Sequence, residues 1–201
     1  MGAIFDDELK RLRGRFMEMG IDASEQIYQA TKAFNEKDAQ LARQVLENDH
    51  QLNDEEIQLE KQALKLMALQ QPVATDFRKI ISILKASSDV ERLGDYAAHI
   101  ARAGIRLSAD EADEQVEKQI EKMMMIVRQM LEKVMDAYVY TDEQKAYEVA
   151  NEDLQVDLIY VQQQDAIMDA LVKLREDVKS YGTYLSVIRY LERAGDHIVN
   201  L

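Results

Sequence analysis

Cysteine is absent from all 201 residues, which excludes disulfides, thiolate metal ligands and a cysteine nucleophile. Any metal must therefore sit on oxygen or histidine. One proline, Pro72, and seven glycines are all that interrupt the chain, so long helices and a sizeable core are expected rather than disorder. No stretch approaches the roughly 18 apolar residues of a membrane span, and the amino terminus, MGAIFDDELKRLRGRF, is too charged for a secretory leader. A cytoplasmic protein is expected. Positive charge is scarce too: 25 Lys and Arg stand against 38 Asp and Glu, a net charge of -13. That balance repels phosphodiester backbones and anionic lipid. Nucleic acid and membrane surfaces are therefore poor primary partners, and a basic protein face or a metal cation fits better.

What the chain does contain is helical periodicity. Phe5, Leu9, Leu12, Phe16, Met19, Ala23, Ile27, Ala30 and Phe34 recur at steps of three and four, predicting a helix over 5–34. Leu41, Val45, Leu52, Leu59 and Leu66 predict a second over 38–70, ended by Gln71-Pro72. A third follows over 75–107. Ser108 to Glu114 lacks large apolar residues and reads as a connection. The pattern then restarts, with Val116, Ile120, Met123, Val127, Met130 and Val134 on helix four, Val149, Val156, Ile167 and Leu171 on helix five, and Leu185, Ile188 and Val199 on helix six. No useful strand alternation occurs. The fold class is all-α, as two tandem three-helix bundles, residues 1–108 and 109–201.

Sliding the chain by 104 residues pairs Ala33 with Ala137, Asp38 with Asp142, Val45 with Val149 and Asp49 with Asp153, an internal repeat. Beyond the second hairpin the offset is 101, pairing Glu91, Arg92, Gly94 and Asp95 with Glu192, Arg193, Gly195 and Asp196. The run Met123-Met124-Met125 reads as core, since its first member continues an apolar stripe.

A Glu and an Asp four residues apart are common on solvated helix faces, so the face decides their meaning. At about 100° per residue, Glu91 and Asp95 fall among Leu84, Ser87 and Ala98, and Glu192 and Asp196 among Leu185, Ile188 and Val199. Asp49 lies between Val45 and Leu52, and Asp153 between Val149 and Val156. Treating the second and third helices as antiparallel arms about Pro72 puts Asp49 level with Asp95 and Asn53 level with Glu91. In the second copy Asp153 meets Asp196 and Asp157 meets Glu192, given a turn near residues 174–179. Clustered acids raise one another's proton affinity unless a positive group intervenes. Two partners remain open on this reading: a hard cation such as Mg²⁺, Mn²⁺, Ca²⁺ or oxidised iron, with Zn²⁺ also compatible, or nearby Arg92, Arg193, Arg189 and Lys85. His99 reads as a surface or capping residue that could also edge a site. Gly94 and Gly195, costly inside a helix, call for close approach of a helix or an ion.

The segments Gln71-Pro72-x-Ala74-x-Asp76-Phe77-Arg78, Asp89-Val90-Glu91-Arg92-Leu93-Gly94-Asp95 and Leu191-Glu192-Arg193-Ala194-Gly195-Asp196, on a duplicated six-helix frame, together resemble the PhoU family over essentially the whole chain. The resemblance implies a non-enzymatic cytoplasmic accessory protein of the phosphate-specific ABC transporter. It would restrain phosphate uptake and signal phosphate sufficiency to the sensor histidine kinase of the phosphate regulon. It also implies metal binding, with iron or zinc in some members, through acidic motifs that fall here on Glu91 with Asp95, Glu192 with Asp196, and Asp153 with Asp157. Asn53 stands where that pattern has an acid, so the first site is expected to bind less tightly. A homodimer is the expected assembly. The chain stops at Leu201, the counterpart of Ile100, so a further tail is expected. Nothing resembles a phosphate cradle, which favours relaying a signal over reading the anion. Two rivals remain: a metal-free helical adaptor with the same partners, and a ferritin-like di-metal enzyme, whose paired Glu-x-x-His motifs are met only once, at Glu47 and His50.

Overall fold

The computed structural model describes residues 2–107, 113–173 and 178–201. These form seven helices: α1 (Gly2–Glu36), α2 (Ala39–Glu47), α3 (His50–Gln70), α4 (Ala74–Arg106), α5 (Glu114–Tyr140), α6 (Glu143–Lys173) and α7 (Val178–Asn200). No strand occurs among the described residues. Of the expected connection over 108–114 and turn near 174–179, residues 108–112 and 174–177 lie outside the described residues, while Glu114 begins α5 and residues 178–179 belong to α7.

Helices α1, α4 and the α2–α3 arm make one bundle, and α5, α6 and α7 make the other. The bundles meet along α1 with α5 and α4 with α7, and one apolar core runs through both. The stripe Leu9, Leu12, Phe16, Met19, Ala23, Ile27, Ala30 and Phe34 is buried, as its spacing requires. Met123 and Met124 are buried and Met125 is exposed. Polar ties also cross the junction: His197 Nδ1 lies 2.8 Å from Asp89 Oδ1, His99 stacks on Tyr190, and Arg128 Nε donates to Ser24 Oγ.

Duplication extends to the turn atoms. After α1, Lys37 takes a left-handed φ of 57° and Asp38 N–H donates to Ala33 O at 2.9 Å. After α5, Thr141 takes φ 53° and Asp142 N–H donates to Ala137 O at 3.0 Å. The Asp38 carboxylate accepts from Gln40 and Leu41 N–H, both at 2.9 Å, a helix cap worth about 1 kcal/mol. Gln71, left-handed at φ 44°, ends α3 ahead of Pro72.

One predicted element is corrected. The helix expected over 38–70 is broken at Asn48 and Asp49. There the ladder tightens for a turn, with Asp49 N–H bonding Leu46 O at 3.4 Å and Gln51 N–H bonding Asn48 O at 3.0 Å. Asn and Asp are both weak helix formers, and the Asp49 side chain makes no cap bond to the backbone. The second copy has Glu152 and Asp153 at these positions, and α6 runs through them unbroken.

Candidate metal centre

In the second bundle α6 carries Asp153 and Asp157 and α7 carries Glu192 and Asp196. Val149 and Val156, one turn either side of Asp153, are core residues, so the helix period alone turns this carboxylate inward. Asp153 is 8% exposed, and its Oδ1 is buried without a hydrogen-bond partner. Gly195 on α7 stands opposite, where a methyl group would collide with Asp153 Oδ1. Burial first, then the charges of Asp157, Asp196 and Glu192, push the Asp153 carboxyl up to about 6. Burial and Asp196 likewise raise Glu192. Arg193 reaches both α7 acids loosely, 3.7 Å from Glu192 Oε2 and 3.7 Å from Asp196 Oδ2.

The first bundle repeats the residues but resolves their charge differently. Asp49, with its side chain 32% exposed, accepts from Arg102 Nη2 at 3.2 Å. Asp95 accepts from Arg92 Nη1 at 2.8 Å, and Glu91 Oε2 lies 4.0 Å from Arg92 Nε. Asn53 hydrogen-bonds Glu91, the level pairing expected there, while burial, Asp95 and Glu56 raise the Glu91 carboxyl. A methyl on Gly94 would meet Leu52 Cδ1 at 2.6 Å. Gly94 thus admits an apolar side chain from α3, whereas Gly195 admits a carboxylate from α6.

Sequence reasoning missed Arg102 and Glu56. Arg102 was legible in principle, since it lies seven residues, two turns, after Asp95 and so on the same face. It also missed the Lys133 ion pair with Glu152, beside Asp153. Glu47 and His50 are exposed. Among the described residues, no three His, Asp or Glu side chains converge into a ready-made ligand group. On donor chemistry the two sets still separate. The second sets Asp157, Glu192 and Asp196, the last two loosely paired with Arg193, near the unpartnered buried oxygen of Asp153 and suits a cation, whereas in the first Asp49 and Asp95 are each bonded to an arginine and the set fits one less well. No helix among the described residues is long and apolar enough to cross a membrane.

Comparisons with known proteins follow this geometry. A family model described as the PhoU domain matches residues 16–104 and again 120–201. A relative from Clostridium acetobutylicum, named a phosphate-specific transport system accessory protein PhoU homolog, is 34% identical over 199 residues, covering 98% of this chain and 90% of its own. One of the same name from Pseudomonas aeruginosa is 32% identical over 98% of this chain and 81% of its own. Among solved structures, the phosphate transport system regulatory protein PhoU from Streptococcus pneumoniae superposes with a TM-score of 0.92 at 31% identity, over 98% of this chain and 92% of that one. PhoU from Pseudomonas aeruginosa gives 0.93 at 31% identity, over 98% and 94%. The names describe accessory and regulatory proteins, not enzymes. With the domain matched twice and relatives aligned over nearly its whole length, the chain belongs to the PhoU family.

Proposed function

We propose that this protein is a cytoplasmic, non-catalytic regulator that restrains phosphate uptake and reports phosphate sufficiency. Its partners on this reading are the ATPase subunit of the phosphate-specific ABC transporter and the phosphate-sensing histidine kinase. The observation that carries the reading is alignment across 98% of the chain with proteins named as accessory to the phosphate-specific transport system. Co-purification from cells tests it: recovery of the ATPase or the kinase is expected, and recovery of neither overturns it.

Within that role, Asp153, Asp157, Glu192 and Asp196 would hold a metal cation, with iron or zinc favoured by the family resemblance and magnesium or manganese compatible with the oxygen donors. The unpartnered Asp153 Oδ1 supports this. A bound cation would supply positive charge at Asp153, which Arg193, 3.7 Å from Glu192 and Asp196, does not pair with. Ligation also requires that Asp153 give up its proton, so affinity rises with pH through about 6. Asp49, Glu91 and Asp95 form the weaker set, because Arg92 and Arg102 already occupy two of them.

A further inference from the structure

The molecule carries -13 overall, yet one hollow on its surface is lined by cations. A trough of about 880 Å³ runs between α1 and α3, bounded by Ile4 to Glu18 on one side and Gln58 to Gln70 on the other. At 1.5 Å per residue each wall is about 20 Å long. Gln51 Nε2 donates to Asp22 Oδ2 at 3.1 Å, which sets the antiparallel register of the two walls. In that register Lys65, Arg11, Lys61 and Arg15 succeed one another within two helical turns, about 10 Å. Against these four cations stand two acids, Glu8, bonded to Arg11 on its own helix at 3.0 Å, and Glu18 at the far end. Among the described residues Arg15, Lys61 and Lys65 make no ion pair. Gln62 Oε1, between the lysines, is buried without a hydrogen-bond partner. Toward Pro72 charge gives way to apolar surface, with Ile4 65% and Leu69 68% exposed beside buried Leu66. The repeat provides an internal control. At the offset of 104, Arg11, Arg15, Lys61 and Lys65 answer to Gln115, Gln119, Asp165 and Asp169, so the fold does not require cations on this face.

We propose that the trough between α1 and α3 docks an acidic amphipathic helix of a partner protein. Shape selects a helix. A cylinder about 10 Å across and 20 Å long, sunk to half its depth, displaces about 800 Å³, close to the volume of the hollow, whereas a small anion leaves most of it empty. Two antiparallel helices with a groove between them are also the open side of a four-helix bundle, and a further helix laid in the groove completes it. Charge selects the side chains it carries. Carboxylates spaced four residues apart on the incoming helix reach Arg15, Lys61 and Lys65, which have no acid of their own, and form charge-assisted hydrogen bonds. Apolar residues at one end of that helix cover Ile4 and Leu69, and a donor between them satisfies Gln62 Oε1. The proposal rests on the reading that this chain works by binding protein partners, and it adds the surface and the chemistry of one such contact.

Co-purification of the tagged full chain from cells, followed by carbodiimide cross-linking of the recovered complex, tests this. Carbodiimide joins a lysine amine directly to a carboxylate, so it reports which acids lie against Lys61 and Lys65. The unmodified chain is expected to retain a partner and to cross-link through one or both lysines to Asp or Glu on a single helical segment of it. Lys61→Glu with Lys65→Glu lowers recovery at least about 10-fold, and added salt lowers recovery by the unmodified chain. Circular dichroism stays unchanged, because both residues are exposed. Lys61→Arg with Lys65→Arg retains the partner, as does Lys118→Glu with Lys122→Glu, an equally exposed pair on α5. Recovery indifferent to charge reversal at Lys61 and Lys65, or a recovered complex with no cross-link from either, overturns the proposal and leaves the regulatory reading standing. Inorganic polyphosphate that binds with the same lysine dependence, in the absence of such cross-links, overturns it in favour of an anion site. Recovery of no partner by the unmodified chain overturns the regulatory reading, and the proposal falls with it.

Discussion

Asp49 and Asp153 hold the same place in two copies of one bundle. Asp49 lies 3.2 Å from a guanidinium, while Asp153 is buried with an oxygen that has no partner. The difference begins in sequence. The first copy has Asn48 and Asp49 at a helix break, and the second has a continuous α6 that drives Asp153 into the core; the position matching Arg102 falls beyond Leu201. Duplication preserved Asp49 and Asp153, and the local backbone decided how deeply each is buried.

Substitutions sharpen this contrast, beginning with the largest effect. In calorimetric titration with Mn²⁺ or Zn²⁺, Asp153→Asn is expected to lower affinity by about 100-fold and Asp49→Asn by less than about 3-fold. Equal losses would erase the distinction between the copies. Stability of the metal-free protein moves the other way. Removing a buried, unpaired charge by Asp153→Asn raises the urea unfolding free energy at pH 7 by about 1–2 kcal/mol, whereas Asp49→Asn changes it by less than about 1 kcal/mol, the scale of an exposed ion pair.

The same contrast has a pH signature. Asp153 is raised from 3.8 to about 6 in the fold, so the folded state holds this proton more tightly than the unfolded chain. Its favourable contribution is complete below about pH 3.8 and is lost as pH rises through about 6. Urea unfolding of the metal-free protein between those limits therefore loses stability with rising pH, and Asp153→Asn flattens that slope. Asp49→Asn leaves it intact. A slope unchanged in Asp153→Asn would remove this residue as its source.

The glycines give a smaller contrast. Gly195→Ala pushes a methyl group onto Asp153 Oδ1 and should weaken cation binding about 10-fold. Gly94→Ala meets buried Leu52 instead. It costs about 1–2 kcal/mol in overpacking, partly offset by the better helix propensity of alanine, and leaves cation affinity unchanged. Smallest is Asn53→Asp, which restores a fourth acid to the first copy but leaves Asp49 on Arg102. It should shift Tm by less than about 2 °C and add no tight cation equivalent on titration.

Much of this was legible in the residues. Apolar spacing located the arms, and the offsets of 104 and 101 aligned the copies closely enough to anticipate Asn53 beside Glu91. The inward aim of Asp153 followed from Val149 and Val156. Two features escaped for physical reasons. The helix break at Asn48 and Asp49 is a one-turn change in backbone hydrogen bonding between two weak helix formers, which an apolar period does not register. The Asp49 pair with Arg102 depends on the reach of a long side chain across two arms, whereas level-matching compared only backbone heights.

Elemental analysis of protein purified without chelator tests the central claim most directly. The account predicts bound metal above buffer in the unmodified protein and in Asp49→Asn, and none in Asp153→Asn. Metal retained by Asp153→Asn, or an unmodified protein that carries none and binds none on titration, would contradict it.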